Sequence, residues 1–414
     1  LTAHGTAADF ASAEAIRDPY TLLARLRRED PVHWNGRLGA WCLSAHADVE
    51  RAFKDPRLSS DRIRPFVAGQ TRASPEHARL LGDCLGLWMV FNDPPTHTRL
   101  RGLVAQAFTR RAVEALRPQV AALVHDLLDA VADAGRMDVV ADFAYPLPAT
   151  VIADMLGVPR ADVDDLKRWS DDLATFVLAA RANPEKYAIA AASLAEMNAY
   201  FERLVAERRA RPGGDIIDAL IAAHAGEDRL TLEELLASCV LLLFAGHETT
   251  THFIANGLRA LVLHPEAMAD FRAGADDRNR LRNALNELLR WDGPSISQLR
   301  VAAEDLDWGG RRIARGERVY LFIAGANRDE AVFPDPDRLD LARPNANRQL
   351  AFGSGIHLCL GAHLARLEGE VAFPILADRL AGLRLLDEEP EWSDSLVIRG
   401  MRAMPVAFEG RARA

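Results

Sequence analysis

Phe352-Gly353-Ser354-Gly355-Ile356-His357-Leu358-Cys359-Leu360-Gly361 sets one cysteine in a glycine-rich loop, just ahead of a helix-like run from Ala362 to Leu367. Glycines let the backbone curl so that amide N–H groups point at the sulfur. The positive end of the helix that follows also favours an anion. A cysteine so placed suits three roles: catalytic nucleophile, metal ligand or haem ligand. The rest of the chain has to choose between them.

The chain has 414 residues, 49% hydrophobic and 26% charged, which suits a large globular protein with a sizeable core. No Gly/Ser-rich or low-complexity stretch separates two halves, and no repeat is visible, so a single domain over residues 19–414 behind an N-terminal extension 1–18 is expected. The net charge of −9 argues against a nucleic-acid partner. Cys42, Cys84, Cys239 and Cys359 show no CxxC spacing, so neither a zinc site nor a redox disulfide is indicated. The start of the chain lacks a charged segment followed by an apolar one, and the most apolar segment, Cys239 to Gly246, is too short to span a bilayer. A cytoplasmic protein without membrane contact is the expectation.

Periodicity predicts helices at Pro19–Glu29, Asp48–Lys54, Thr96–Phe108, across most of Ala112–Ala210 with breaks at Pro146, Pro148, Pro159 and Pro184, and at Asp277–Trp291 and Ala362–Leu380. Thr231-Leu232-Glu233-Glu234 is a capping box that opens a long helix reaching His264-Pro265. Strands are expected in Val32–Leu43, Ala302–Ile323 and the tail Leu383–Phe408, while residues 60–95 read as a long loop. The fold class is mainly α with a minor β region, around one long central helix.

Inside that helix lies Ala245-Gly246-His247-Glu248-Thr249-Thr250, rich in poor helix formers and holding an acid among apolar neighbours. Gly246 would let a ligand approach the backbone, Thr249 would open the helix locally, and Glu248 beside a hydroxyl makes a proton-delivery pair. A polar kink lined by water is the plainer alternative. His247 and His252 imitate a zinc-binding HExxH string, but they stand at i and i+5 rather than i and i+4 and do not share a face. Glu287 and Arg290, at i and i+3, are an ordinary surface pair unless Arg343 joins them in a buried network pinning the cysteine loop. His97 and Arg101 share a helix face and, with Arg300 and His357, make a scattered set of anion binders or merely solvated cations.

Taken together and in order, the His97/Arg101 helix, Ala245-Gly246-x-Glu248-Thr249-Thr250, Glu287-x-x-Arg290 and Phe352-Gly353-x-Gly355-x-His357-x-Cys359-x-Gly361 resemble the cytochrome P450 family in its soluble bacterial form, from about Pro19 to Phe408. The resemblance implies the P450 fold and haem b (iron protoporphyrin IX) bound through Cys359 as the metal ligand, whose thiolate favours O–O cleavage. It implies that Glu248 and Thr249 relay protons to dioxygen. His97, Arg101, Arg300 and His357 would hold the haem propionates, Phe352, Gly353, Gly355 and Gly361 would shape the cysteine loop, and Ala245 and Gly246 would face the haem. Glu287, Arg290 and Arg343 would form a structural triad. The expected activity is a monooxygenase that hydroxylates or epoxidises a mainly apolar small organic substrate. The substrate would meet Trp88, Met89, Val90, Phe91, Leu242, Ala245, Ser295, Ile296, Ser297, Gln298 and Val397, with the region Asp172–Tyr187 moving to admit it.

Electrons would come from NAD(P)H indirectly, through a ferredoxin reductase and a ferredoxin docking on Arg110, Arg111, Arg348 and Arg366. The chain departs from relatives at Glu330 and Gly293, where proline is common, and at Gln349, where histidine is frequent. Pro374 should kink or shorten the last helix. Peroxide-driven oxygenation or oxidative coupling, a non-catalytic haem protein, and a cysteine hydrolase are the rival readings. The last lacks an evident histidine–acid pair to activate Cys359.

Overall fold

The computed structural model describes residues 8–68, 74–178, 185–225, 230–387 and 389–410. Two compact units are built from interleaved segments: one from Leu1–Leu58, Arg117–Ala144 and Thr249–Ala414, the other from Ser59–Leu116 and Tyr145–Glu248.

The first unit carries the sheets. Val32–Asn35 and Ala40–Leu43 form a hairpin, whose turn uses Gly39 at φ +56°. Ala40–Leu43 then pairs in parallel with Arg318–Leu321, which pairs antiparallel with Gln298–Ala302. Alternation along these strands sends Leu43, Val319 and Leu321 into a core with Val49, Phe53, Trp308 and Ile323. The opposite face buries Cys42, Tyr320 and Phe322 with Leu23 and Phe10. Phe10 stacks on Phe322 at 4.7 Å, so Ala8 and Phe10, ahead of residue 19, belong to this core. Leu306–Trp308 and Arg311–Ile313 turn at Gly309 and Gly310, both at positive φ. A three-stranded sheet joins Arg136–Asp138, Pro405–Gly410 and Leu380–Leu385; its first strand lies in a stretch whose apolar spacing suggested helix throughout.

Helix Ala362–Arg379 is the spine of this unit. Gly369 and Gly257 remove the side chains that would block Phe253 and Phe373. Glu370 is clamped between Arg117 and Arg282 at 2.8 and 2.7 Å. Of the kink or shortening expected at Pro374, the shortening does not occur, and the helix continues to Arg379. Phe373, next to the proline, packs against Phe253 and Phe271.

The second unit is helical. The expected loop at residues 60–95 instead contains helices Ile63–Ala68 and Pro75–Leu85. Ser74 caps the latter by accepting from His77 N, with Pro75 in the first turn, where its missing N–H costs nothing. Pro146 and Pro148 likewise open helix Pro146–Met155 rather than break one. Val163–Val177 and Lys186–Ala210 pack together through Trp169 on Tyr200 and a 2.6 Å bond from Ser193 Oγ to Asp172. Residues 179–184 of the expected mobile region, Pro184 included, lie outside the described residues.

The capping box forms as expected. Thr231 N donates to Glu234 at 2.9 Å and Glu234 N to Thr231 Oγ1 at 3.2 Å. The helix it opens, Leu232–Leu263, has 32 residues and runs unbroken through Thr249, so the local opening expected there is absent. The boundary between the units falls within it, after Glu248.

Candidate functional site

In the first unit the cysteine loop is shaped by backbone geometry. Gly353 and Gly355 sit at φ +71° and +70°, which a side chain would strain. A Cβ on Gly355 would also lie 2.9 Å from Phe53 O, where the loop presses on the end of helix His46–Lys54. Cys359 N donates to Phe352 O at 2.9 Å, closing the loop, and Gly361 caps the helix that follows. Cys359 is exposed, whereas Cys42, Cys84 and Cys239 are buried. Burial pushes all three buried thiols upward, Cys84 to about 12, so they stay protonated and inert. The Arg366 guanidinium lies 4.4 Å from the Phe352 ring, and burial lowers its pKa against the opposing pull of Cys359.

Behind the loop, Glu287 and both arginines form one buried network. Arg290 reaches Glu287 at 2.6 and 2.8 Å, and Arg343 Nε reaches the same carboxylate at 3.1 and 3.2 Å. Remaining guanidinium protons go to the carbonyls of Asn327, Pro334, Asp335, Pro336 and Arg338. Asn327 Oδ1 then accepts from Leu350 N at 2.7 Å, linking that segment to the start of the cysteine loop. The surface-pair alternative is excluded by burial.

Arg300 is buried over Phe53 at 5.6 Å, and His357 sits in the loop itself. Ile296 N donates to Val397 O, and Ser297 Oγ donates to Leu396 O at 2.5 Å. Ser297 is fully buried, so its hydroxyl proton is committed to the backbone rather than offered to a ligand. Two departures also acquire reasons. Glu330 pairs with Arg27 at 2.5 Å, and a Cβ on Gly293 would lie 2.2 Å from Leu289 O, where proline would force the backbone to move.

In the second unit His97 is buried on helix Thr96–Ala105, and burial followed by the Arg101 charge lowers its pKa. Trp88 stacks on Phe91 at 5.7 Å and meets Phe244 at 5.6 Å. Asn92 braces this loop by donating to Gly86 O and Trp88 O. Trp88, Met89, Phe91 and Leu242 are buried, and Val90 is exposed. Gly246 does not bare the backbone to open space: a Cβ there would lie 2.6 Å from Ile152 Cγ1, so the glycine serves helix packing. The open position is Ala245, which is exposed.

Glu248 is the acid of this unit whose environment favours the neutral form. Burial first, then the Asp171 charge, raises its pKa to about 7, against the lowering pull of Lys167. His247 beside it is lowered to about 4 by burial. The sequence flagged Glu248, but it gave no role to His247, Tyr145 or Lys167, which come from separate segments. It also passed over Glu368, fully buried on helix Ala362–Arg379, although an acid flanked by Leu367 and Gly369 in an apolar run was a usable signal. Arg110, Arg111 and Arg348 are exposed; Arg366, half-buried on Phe352, is poorly placed as a docking cation. No helix among the described residues is long and apolar enough to cross a membrane.

Within the first unit, an exposed thiol on a glycine-shaped loop at a helix start, with the imidazole of His357 in the same loop and the guanidinium of Arg300, is a donor set whose chemistry fits a haem. Comparison with known proteins agrees. The cytochrome P450 family model matches residues 70–379. The chain is 38% identical to cytochrome P450 CYP107DY1 of Priestia megaterium, covering 97% of this chain and 99% of that one. It is 40% identical to cytochrome P450 monooxygenase PikC of Streptomyces venezuelae, covering 94% and 91%. Among solved structures it resembles P450BioI in complex with an acyl carrier protein bearing hexadec-9Z-enoic acid, with TM-score 0.88, 34% identity and coverage of 96% and 100%.

Proposed function

The chain belongs to the cytochrome P450 family of haem b oxidoreductases that use dioxygen, and from that premise we propose that it inserts one oxygen atom into a C–H bond or double bond of a mainly apolar organic substrate. Residues 19–414 would act as its haem domain. When bound, the haem supplies dioxygen binding and activation at its iron. Cys359 would hold the iron from the loop that Gly353 and Gly355 shape. His97, Arg101, Arg300 and His357 would neutralise the propionates.

Glu248 would supply protons, and Thr249, next along the helix, would orient them. One observation carries this reading above peroxide-driven chemistry: Glu248 is a partly buried acid whose pKa, raised to about 7, keeps a protonated fraction at neutral pH. Dioxygen brings no protons and needs them supplied, whereas hydrogen peroxide carries its own and needs one only moved between its oxygens. Trp88, Phe91 and Phe244 support an apolar substrate, as does the fatty acyl chain carried by the partner of P450BioI. Electrons would reach the site from NAD(P)H through a ferredoxin and its reductase, with docking on the exposed Arg348, Arg110 and Arg111.

The test has two arms. The reduced carbonyl adduct should absorb as a thiolate-ligated haem and lose that signature in Cys359→His. With reductase, ferredoxin and a substrate found by spectral shift, Thr249→Ala should consume NAD(P)H while losing product. Product formation that needs peroxide and ignores the electron donors would favour the rival chemistry.

A further inference from the structure

His247 is 2% exposed, and its two ring nitrogens are treated differently. Nδ1 lies 2.8 Å from Leu243 O, one helical turn back. A carbonyl only accepts, so Nδ1 carries the proton and Nε2 presents a bare lone pair. Nε2 has no hydrogen-bond partner among the described residues, and Glu248 Oε1 stands 3.9 Å from it. Tyr145 meets the imidazole edge-on, with centroids 5.4 Å apart and planes at 84°, and Lys167 Nζ lies 4.5 Å from the Tyr145 ring. This wall and the Leu243 bond together prevent the ring flip that would exchange the nitrogens. On the other side, Gly246 brings Ile152 against the same helix.

We propose that His247 is a positioning residue for Glu248, its Nε2 accepting the hydrogen bond of the protonated Glu248 carboxyl and so holding the loaded acid between turnovers. The inference rests on the reading of Glu248 as proton donor. A small rotation of the glutamate closes 3.9 Å to hydrogen-bond length. The proton stays on Glu248 throughout. It cannot pass through the ring, because the Nδ1 proton is committed to Leu243 O. The charged and titratable groups that act on this pair among the described residues include Lys167, Asp171 and Asp164 on helix Val163–Val177, and Tyr145. Lys167 and Asp171 pair with each other at 2.7 Å, and Tyr145 is kept protonated by burial and by the Asp171 and Glu248 charges. None of them offers a neutral, unprotonated nitrogen; His247 does.

The decisive measurement is nitrogen NMR of histidine-labelled holoenzyme in its diamagnetic ferrous-carbonyl state. His247 should appear as the neutral Nδ1–H tautomer, its Nε2 resonance should move with a midpoint near that of Glu248, about 7, and Glu248→Gln should abolish that movement. An Nε2–H tautomer, or an Nε2 resonance indifferent to pH across that range, would overturn the assignment. A functional arm separates the two levels of inference. His247→Phe, which keeps an aromatic ring against Tyr145, should lower product formed per NAD(P)H several-fold at about pH 8, and His247→Gln, which restores an acceptor, should recover most of it. If Glu248→Gln leaves coupling intact, the proton-donor reading itself fails. If Glu248→Gln uncouples but His247→Phe does not, only the role given to His247 fails.

Discussion

Arg290 grips Glu287 along two hydrogen bonds, Nε to Oε2 at 2.6 Å and Nη2 to Oε1 at 2.8 Å, with neither side chain exposed to solvent. Because Arg343 shares the same carboxylate, removing it strands two buried cations. Glu287→Ala should therefore cost about 3–5 kcal/mol and abolish stable haem uptake. Arg290→Lys should do nearly as much harm, since an ammonium cannot reach the carboxylate side-on together with the carbonyls of Asn327 and Pro336. Thermal unfolding and haem content of the purified variants check both; a folded, haem-loaded Glu287→Ala protein would contradict the argument.

The Glu248 carboxyl gives the proposed turnover a pH dependence with a definite sign. Its pKa is raised, so the proton-bearing form dominates below about 7 and is lost above it. Product formed per NAD(P)H should fall as pH rises through that value, and Glu248→Gln should flatten the profile at a lower level, slower by about 10²-fold or more. The wild-type and variant profiles, compared with one substrate, decide it. A wild-type profile flat across neutrality would remove Glu248 from the relay.

Gly246 makes a packing prediction that separates it from ligand binding. A methyl group there would press on Ile152, and overpacking of this kind costs about 1–3 kcal/mol. Gly246→Ala should lower the unfolding temperature, and Ile152→Val or Ile152→Ala in the same chain should recover part of the loss. Strictly additive effects of the two substitutions would mean that the residues do not meet.

What could be read from sequence was whatever is decided locally. The glycines of the cysteine loop and the Thr231/Glu234 box depend on neighbours a few residues away, and there the chain turned and the helix began where expected, whereas the spacing of Glu287 and Arg290 alone suggested a surface pair and needed the distant Arg343 to become a buried one. Distant pairings escaped. Tyr145 and His247 meet across about a hundred residues, and nothing in either segment announces the other. The helices at Ile63–Ala68 and Pro75–Leu85 were hidden by their shortness, although Ser74-Pro75 was a usable start signal. Pro374 did not shorten its helix, and the contact of its neighbour Phe373 with Phe253, again distant in sequence, was equally unannounced.

Glu368 yields a prediction about stability alone. It is fully buried, neither carboxyl oxygen has a hydrogen-bond partner among the described residues, and burial raises its pKa from 4.5 to about 8. Its folded value thus lies above its unfolded one, so the native state binds the proton more tightly. Between those two values the unfolded chain is ionised while the folded chain stays neutral, and stability must drop as pH climbs through that window. The loss amounts to a few kcal/mol at most, at about 1.4 kcal/mol for each pH unit the window spans. Glu368→Gln, neutral at every pH, removes this dependence. The variant should differ little from wild type at about pH 5 and gain on it steadily toward about pH 8, as read from denaturant midpoints at each pH. A stability difference between the two proteins that stays constant across that range would show that Glu368 is already ionised in the folded chain, held by a cation or a donor that its apolar surroundings do not supply.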